Sequence, residues 1–323
     1  SGAAASGAVV RGLTIRPARP GNDGEAWSAI AVHDVALTAE DCRLSSHLGA
    51  TVWVAGPASA LLLRDCTIED GTQNGVYVVE EGRAALVGCR IVGHRWPMVA
   101  GGMHASLRLE RCEIVDNLDD GVAALAGGRL IVEQSTIAGN AGSGVLFVES
   151  APSSTVADCR ITGNGGAGIM VQRSRGALIL RNRIDDNDAG VVIEGGARPL
   201  VEANELGENV RVGIGVAGDG SDPRVVDNTV AARGSVGIAV RMGATGTFEG
   251  NRVEAGSASG IWVTDEDTAP TLRRNVVTGG GAVAVRVNDG GGGRFESNDL
   301  RGNAGGSWQI VAPGERSEEH TSE

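Results

Sequence analysis

Apolar residues along this chain follow a short, repeating rhythm. Two stand two positions apart, as Leu107 and Leu109, Leu130 and Val132, or Ala177 and Ile179 do; a lone aliphatic follows; then comes a second spaced pair, such as Val76/Val78, Ile169/Val171 or Ile261/Val263. A period of two is the signature of a β-strand with one buried face. The whole pattern returns every 22 to 24 residues around one fixed position: Cys42, Cys66, Cys89, Cys112, Ser135, Cys159, Asn182, Asn204, Asn228, Asn251, Asn275 and Asn298. Two residues beyond each stands the lone aliphatic, from Leu44 and Ile68 to Val277 and Leu300. A self-similar unit of this length marks a stacked repeat architecture.

Taking the fixed position as the zero of each rung, further columns emerge. Position −2 is often Glu, which breaks the apolar phase and predicts a tight bend just before the fixed residue. Position +5 holds Asn117, Asn140, Asn164, Asn187, Asn209 and Asn303, with His47 and His94 in the same register. Position +9 (+8 in the rung of Asn182) holds glycine (Gly75, Gly121, Gly144, Gly168, Gly190, Gly213, Gly237, Gly260), where a positive φ is expected at the start of the third strand. Three strands and three corners per rung predict an all-β solenoid, a right-handed parallel β-helix of about 12–13 coils with three parallel sheets. Like residues stack between coils, and the asparagines satisfy the backbone of the coil above or below. Val9 to Val32 reads as an earlier rung with a long loop over Arg16 to Glu25.

RNRIDDNDAGVVI (Arg181–Ile193) and ADCRITGNGGAGIMV (Ala157–Val171) show the unit best, as N-x-I-x-x-N-x-x-x-G-I-x-V. In this the chain resembles the pectate-lyase-like right-handed parallel β-helix superfamily over more than nine-tenths of its length. The resemblance is specific for fold. The superfamily holds polysaccharide lyases, glycoside hydrolases, uronan epimerases, adhesins and inert repeat domains, so it leaves the activity open. It implies that the third strand of each rung and its flanking loops form the binding groove.

Composition narrows the chemistry. The chain has 323 residues and a formal charge of −12, with no lysine: all 28 basic residues are arginines. Lysine general-base and Schiff-base mechanisms are thereby excluded, and an acidic surface argues against a nucleic-acid partner. No apolar run reaches the length of a membrane span. Ser1 to Gly7 lacks the features of a signal peptide. The expected location is nonetheless extracellular, periplasmic or at the cell surface, as a monomer. No capping helix is visible, which predicts a fragment of a longer protein. Residues 1–315 are expected to be one domain, and Arg316–Glu323 (RSEEHTSE) to be a non-native or disordered tail that resembles a translated sequencing adapter, so His320 is set aside. The five cysteines share one column without a C-x-x-C spacing, which predicts a stack of buried free thiols over disulfides or a metal site.

Function is sought where the repeat fails. The outward position of the third strand (+11, and +10 in the rung of Asn182) reads Trp53, Tyr77, Ala100, Ala123, Leu146, Met170, Val192, Gly215, Ala239, Trp262, Arg286, Gln309. It carries one arginine and no carboxylate, which argues against catalysis at the middle of the sheet. The strip Leu146, Met170 and Val192 is expected to be exposed and to meet another element or a partner. Rungs 1–4 are richer: His47 and Trp53, Asn74 and Tyr77, His94-Arg95-Trp96-Pro97, and Asp119-Asp120-Gly121. The last triplet resembles the paired aspartates of polygalacturonase-type β-helix hydrolases, in which one carboxyl protonates the leaving oxygen and another activates water. That resemblance implies catalytic roles for Asp119 and Asp120 with His94 and Arg95. The N-T-D, G-H-G and R-I-K that accompany the pair in those hydrolases are missing in register: Gly142 to Gly144 reads GSG.

Trp53, Asn74, Tyr77, Trp96 and His47 are the candidate saccharide contacts. Each has a plainer alternative: an acidic turn for the aspartates, a place in the +5 corner column for His94 and His47, sheet-surface aromatics for Tyr77 and Trp53. Near the C-terminus Asp219, Asp222, Asp265, Asp267 and Asp289 lie in long loops and form a candidate Ca²⁺ site, or simply solvated turns, since Glu266 beside them does not complete a calcium-loop spacing. No cofactor is required. The leading expectation is a generic repeat domain with polysaccharide or cell-surface glycan binding along rungs 1–4. The alternatives are a polysaccharide-degrading enzyme and a non-catalytic stalk or adhesion module.

Overall fold

Each rung delivers three strands, and the coils stack so that every strand pairs in parallel with its counterpart one coil away. The computed structural model describes residues 7–17, 27–232 and 234–311; the tail from Arg316 and residues 18–25 of the expected loop lie outside the described residues. Sheet A (13 strands, Ala8–Arg11 to Arg294–Glu296) precedes the fixed corner residue of each coil. Sheet B (12 strands, Thr14–Ile15 to Val276–Thr278) follows it, and sheet C (13 strands, Ile30–His33 to Trp308–Ile310) is the third strand of the rung. Among the described residues there is no helix. The early rung is real: Ala8–Arg11, Thr14–Ile15 and Ile30–His33 pair in register with the first full coil.

The core is a narrow aliphatic column. Leu44, Ile68, Ile91, Ile114, Ile137, Ile161 and Ile184 stack on one another, all fully buried, and Phe147 and Phe248 are the largest fully buried side chains. All five cysteines are free and buried, and their thiols donate to nearby backbone carbonyls, as Cys66 Sγ does to Arg64 O (3.2 Å). Burial pushes the Cys159 thiol up to about 12, so it stays protonated and behaves as a small apolar group.

The corner before the fixed residue is made by a single left-handed residue. Asp41, Asp65, Gly88, Arg111, Gln134, Asp158, Arg181, Ala203, Asp227, Gly250, Arg274 and Ser297 all have φ between 50° and 68°. Ten of the twelve carry a Cβ, at a cost of about 1–2 kcal/mol each. The side chain of the fixed residue offsets that cost. Asn182 Oδ1 accepts from the Cys159 N–H (3.0 Å), and Asn182 Nδ2 donates back to Val156 O (2.9 Å) and on to Asn204 Oδ1 (3.0 Å). A second ladder runs through the +5 column, where Asn140 Nδ2 reaches Ile114 O (3.2 Å) and Asn164 Oδ1 (2.9 Å).

The +9 glycines depart from expectation. None of them has a positive φ. They are glycine because the next coil leaves no room: a Cβ on Gly190 would lie 2.3 Å from Gly213 O, and one on Gly144 2.7 Å from Gly168 O. Gly190→Ala is therefore expected to destabilise by about 1–3 kcal/mol. Gly215→Ala, whose Cβ would first meet Val212 Cγ1 at 3.4 Å, is expected to be near neutral. Melting midpoints of the two variants check this; equal loss in both would sink the close-approach explanation.

Candidate functional site

The outward column of sheet C differs from the sequence reading at one rung. Tyr77 pairs with Val99, and Val99 with Ala123; Ala100 pairs with Val78 and Ala124 and points into the core. The irregular segment His94–Pro97 leaves rung 3 one residue short ahead of its sheet C strand, which shifts the phase. Asn74 pins this segment: it bridges Trp96 in parallel, and its Nδ2 donates to Pro97 O (2.6 Å). Trp96 is thereby held outward, 45% exposed, with the Arg95 guanidinium 6.0 Å from its ring centre.

Asn74, Tyr77, Trp96, Asp119 and Asp120 line one open cleft of about 430 Å³, floored by Val99 and Ala123. The two aspartates stand just before the strand Val122–Leu125. Asp120 is half-buried because its carboxylate folds back onto the next coil, where Oδ1 accepts from the Ser143 N–H (2.6 Å). Gly142 permits this approach: a Cβ there would lie 2.5 Å from the same oxygen. Burial pushes the Asp120 carboxyl above the usual carboxylate range; the Ser143 N–H opposes this and the Asp119 charge adds to it. A carboxyl shifted upward beside a second carboxyl, in a cleft with an aromatic wall, has the placement of a general acid.

His94 is not in the cleft. It is 1% exposed and stands at the head of the +5 ladder, its peptide N–H donating to Asn117 Oδ1 (3.0 Å). Its ring occupies the place that Gly71 leaves empty in rung 2; a Cβ on Gly71 would lie 2.4 Å from His94 Cδ2. Nε2 sits 3.3 Å from Thr51 Oγ1, and Nδ1 meets no hydrogen-bond geometry among the described residues. Burial holds the imidazole neutral, lowering its pKa to about 4. His47, in the same register by sequence, is exposed and outside the ladder, and its carbonyl accepts from Thr72 Oγ1 (2.8 Å). Trp53 is half-buried beside Tyr77 in sheet C and stacks on His33, ring centres 6.2 Å apart. Leu146, Met170 and Val192 are adjacent in register but half-buried rather than exposed.

Across Tyr77, Val99 and Leu125 the groove continues into an open trough of about 620 Å³, bordered by Glu80, Glu81, Met103 and His104. The sequence reading missed this wall. Glu80 stands in a left-handed turn where the neighbouring coils hold Gly56 and Gly102, but Ala126, Glu149 and Arg173 fill the same place in later coils, so nothing in the sequence marked it.

The acidic loops near the C-terminus do not converge. Asp265 Oδ2 accepts from the Met242 N–H (2.9 Å), Asp222 Oδ1 from Thr245 Oγ1 (3.3 Å) and Asp289 Oδ2 from Asn288 Nδ2 (2.7 Å). Asp219 lies against Gly243 instead, and Asp267 is a left-handed turn residue. Among the described residues no group of three or more His, Cys, Asp or Glu is placed to hold a metal ion, so the calcium expectation finds no cage here. No helix of the described residues is long and apolar enough to cross a membrane.

Solved structures with the same architecture act on polysaccharides by their names. The A-module of the Azotobacter vinelandii mannuronan C-5 epimerase AlgE4 superposes with a TM-score of 0.62 at 15% identity, covering 95% of this chain and 90% of that one. The periplasmic alginate epimerase AlgG gives 0.58 at 14% identity, over 84% and 77%. The catalytic unit of a GH87 α-1,3-glucanase from Streptomyces thermodiastaticus gives 0.52 at 16%, over 94% and 64%. At such identities the likeness is one of fold. No curated protein sequence matches the chain. The family described as "Right handed beta helix region" matches residues 98–230 and 219–316, and with the three parallel sheets and paired asparagine ladders this places the chain in the right-handed β-helix family.

Proposed function

We propose that this protein binds a polysaccharide or cell-surface glycan across sheet C at rungs 1–4, outside the cytoplasm. One observation carries the reading: Asn74, Tyr77, Trp96, Asp119 and Asp120, drawn from three successive coils, line a single open cleft. Aromatic faces offer stacking to the apolar face of a sugar ring, and carboxylate and amide groups take its hydroxyls. Trp53, in register with Tyr77, would extend this wall toward the first coil, with the exposed His47 as a further candidate contact. The periplasmic setting of one structural neighbour and the polysaccharide names of all three support the reading.

A second reading is polysaccharide cleavage or epimerisation, and the raised Asp120 carboxyl favours it. In hydrolysis Asp120 would give its proton to the glycosidic oxygen while Asp119 held the attacking water, with Arg95 at the rim over the sugar. His94, behind the wall, would set the shape of the His94–Pro97 segment and stay out of contact with substrate. A panel of uronans and neutral glycans tests both readings. Tyr77→Ala and Trp96→Ala are expected to weaken binding about tenfold or more. Asp120→Asn is expected to keep binding and, with a cleavable substrate, to lower kcat by about a hundredfold or more. If no glycan binds the wild type, both readings fall. If binding is found and Asp120→Asn turns over as the wild type does, the catalytic one alone falls.

A further inference from the structure

Sheet C carries a second aromatic station far from the first. Eight register steps separate Tyr77 from Trp262 along the outward column, about 38 Å at the usual strand spacing. Trp262 is half-buried, and its Nε1 donates to Asn288 Oδ1 (2.7 Å), which fixes the ring. The ring borders two hollows. One, of about 280 Å³, has Gly215 and Ala239 as its floor and Met170 and Val192 as its far wall. The other, of about 390 Å³, is lined by Arg286, Gln309 and the segment Ser257 to Ser259. The first hollow is not a by-product of packing. A Cβ on Gly215 would meet only Val212 Cγ1, at 3.4 Å, so the missing side chain leaves space that packing does not require.

The charge here is of the opposite kind to that of the first station. Tyr77 is flanked by Asp119, Asp120, Glu80 and Glu81. Trp262 pairs in register with Arg286, and Arg211 and Arg241 border the first hollow. Arg211 is tied to Asp188 (2.7 Å), and Glu194, also on the border, accepts from Gln172 Nε2 (2.6 Å). Arg241 forms no ion pair among the described residues. A planar guanidinium next to a fixed indole matches a ring that is apolar on one face and carries a carboxylate at its edge. In a chain of net charge −12 an anionic ligand is repelled over most of the surface, so a local arginine group has to be what admits it.

We propose that the Trp262–Arg286 station binds a carboxylate-bearing sugar unit, giving the protein a second glycan subsite on the same strip of sheet as the first. This rests on the reading that the protein handles polysaccharides, and it adds a substrate class, acidic glycans. Two stations on one rigid strip also imply that a long polymer is held more tightly than an oligomer, because the second contact is intramolecular.

Calorimetric titration of the full chain with oligomannuronate, oligogalacturonate and a neutral oligoglucan tests this against Trp262→Ala, Arg286→Gln and Tyr77→Ala. Trp262→Ala is expected to lose at least tenfold in affinity for an acidic oligomer. Arg286→Gln should lose the preference for acidic over neutral oligomers, and wild-type affinity should fall with added salt. Where the alanine variant melts early, Trp262→Phe, which keeps an apolar ring, replaces it and is expected to lose less. Loss in Tyr77→Ala alone, with Trp262→Ala and Arg286→Gln like wild type, overturns the second station and leaves the first reading intact. Loss in the Trp262 and Arg286 variants alone keeps the second station and removes the first. Equal binding of neutral and acidic oligomers at Trp262 overturns the acidic class.

Discussion

Asn204→Leu is expected to destabilise the solenoid by about 3–5 kcal/mol, and Asn204→Ser by about 1–2 kcal/mol. The two side chains differ in what they leave behind. Asn204 Oδ1 is the acceptor for the peptide N–H (2.8 Å) and the side-chain amide (3.0 Å) of Asn182, and its Nδ2 donates to Ile179 O (2.9 Å) and Asn228 Oδ1 (2.9 Å). All of these groups are buried, so leucine strands at least the Asn182 N–H and amide away from water, at about 1–3 kcal/mol for each buried group. Serine keeps the acceptor. The chain already contains that solution at rung 5, where Ser135 Oγ accepts from the Cys112 N–H (3.0 Å) and donates to Glu133 O (2.8 Å). Urea unfolding followed by circular dichroism gives the ranking. Hydrogen exchange locates it, because coils touch only their neighbours and the added exchange should be confined to rungs 7–9. Equal losses for leucine and serine would mean that the amide ladder is not what holds the corner.

The fold was legible because a parallel solenoid writes every contact once per coil. A residue that must face its own kind one coil away recurs at a fixed interval, and Cys, Ser and Asn interchange in the first corner column because each fits one small buried site next to the same peptide group. What the sequence did not show was conformation at single residues. The left-handed position before each ladder residue is filled by Asp, Gly, Arg, Gln, Ala and Ser, so no residue type marks it. The +9 glycines could be seen but not explained: absence of a side chain reads the same whether it serves φ or close approach, and the distance to Gly213 O or Gly168 O decides it.

The cleft was partly legible for the same reason. Asn74, Tyr77, Trp96, Asp119 and Asp120 break the repeat at neighbouring rungs, and stacking brings neighbouring rungs together. His94 also breaks the repeat, yet it is turned inward. The sequence clue to that lay one rung away, at Gly71, the glycine in the +5 column that makes room for an imidazole. A substitution in a solenoid has to be read against the same position in the coils on either side before it is assigned to the surface.

That inward histidine makes the fold sensitive to acid. Its pKa is about 4, lowered chiefly by burial; Asn117 and the charges of Asp70 and Glu69 pull the other way without cancelling it. Free histidine titrates near 6.5. Between these values the unfolded chain takes up a proton that the folded chain refuses, so stability falls as pH drops from about 6.5 to 4 and is fully present above 6.5. The span corresponds to about 3 kcal/mol. His94→Asn is expected to abolish this component: an asparagine there can donate to Ile68 O as Asn140 does to Ile114 O, and it does not titrate. At pH 7.5 the variant should lose about 1 kcal/mol for the volume left beside Gly71. At pH 5 it should match or exceed wild type, so the two stability curves cross. Gly71→Ala sharpens the test, since its Cβ would collide with His94 Cδ2 in the wild type and should be tolerated better once His94 is replaced. Parallel curves for wild type and His94→Asn between pH 7.5 and 5 would show that the buried imidazole does not govern the response to acid.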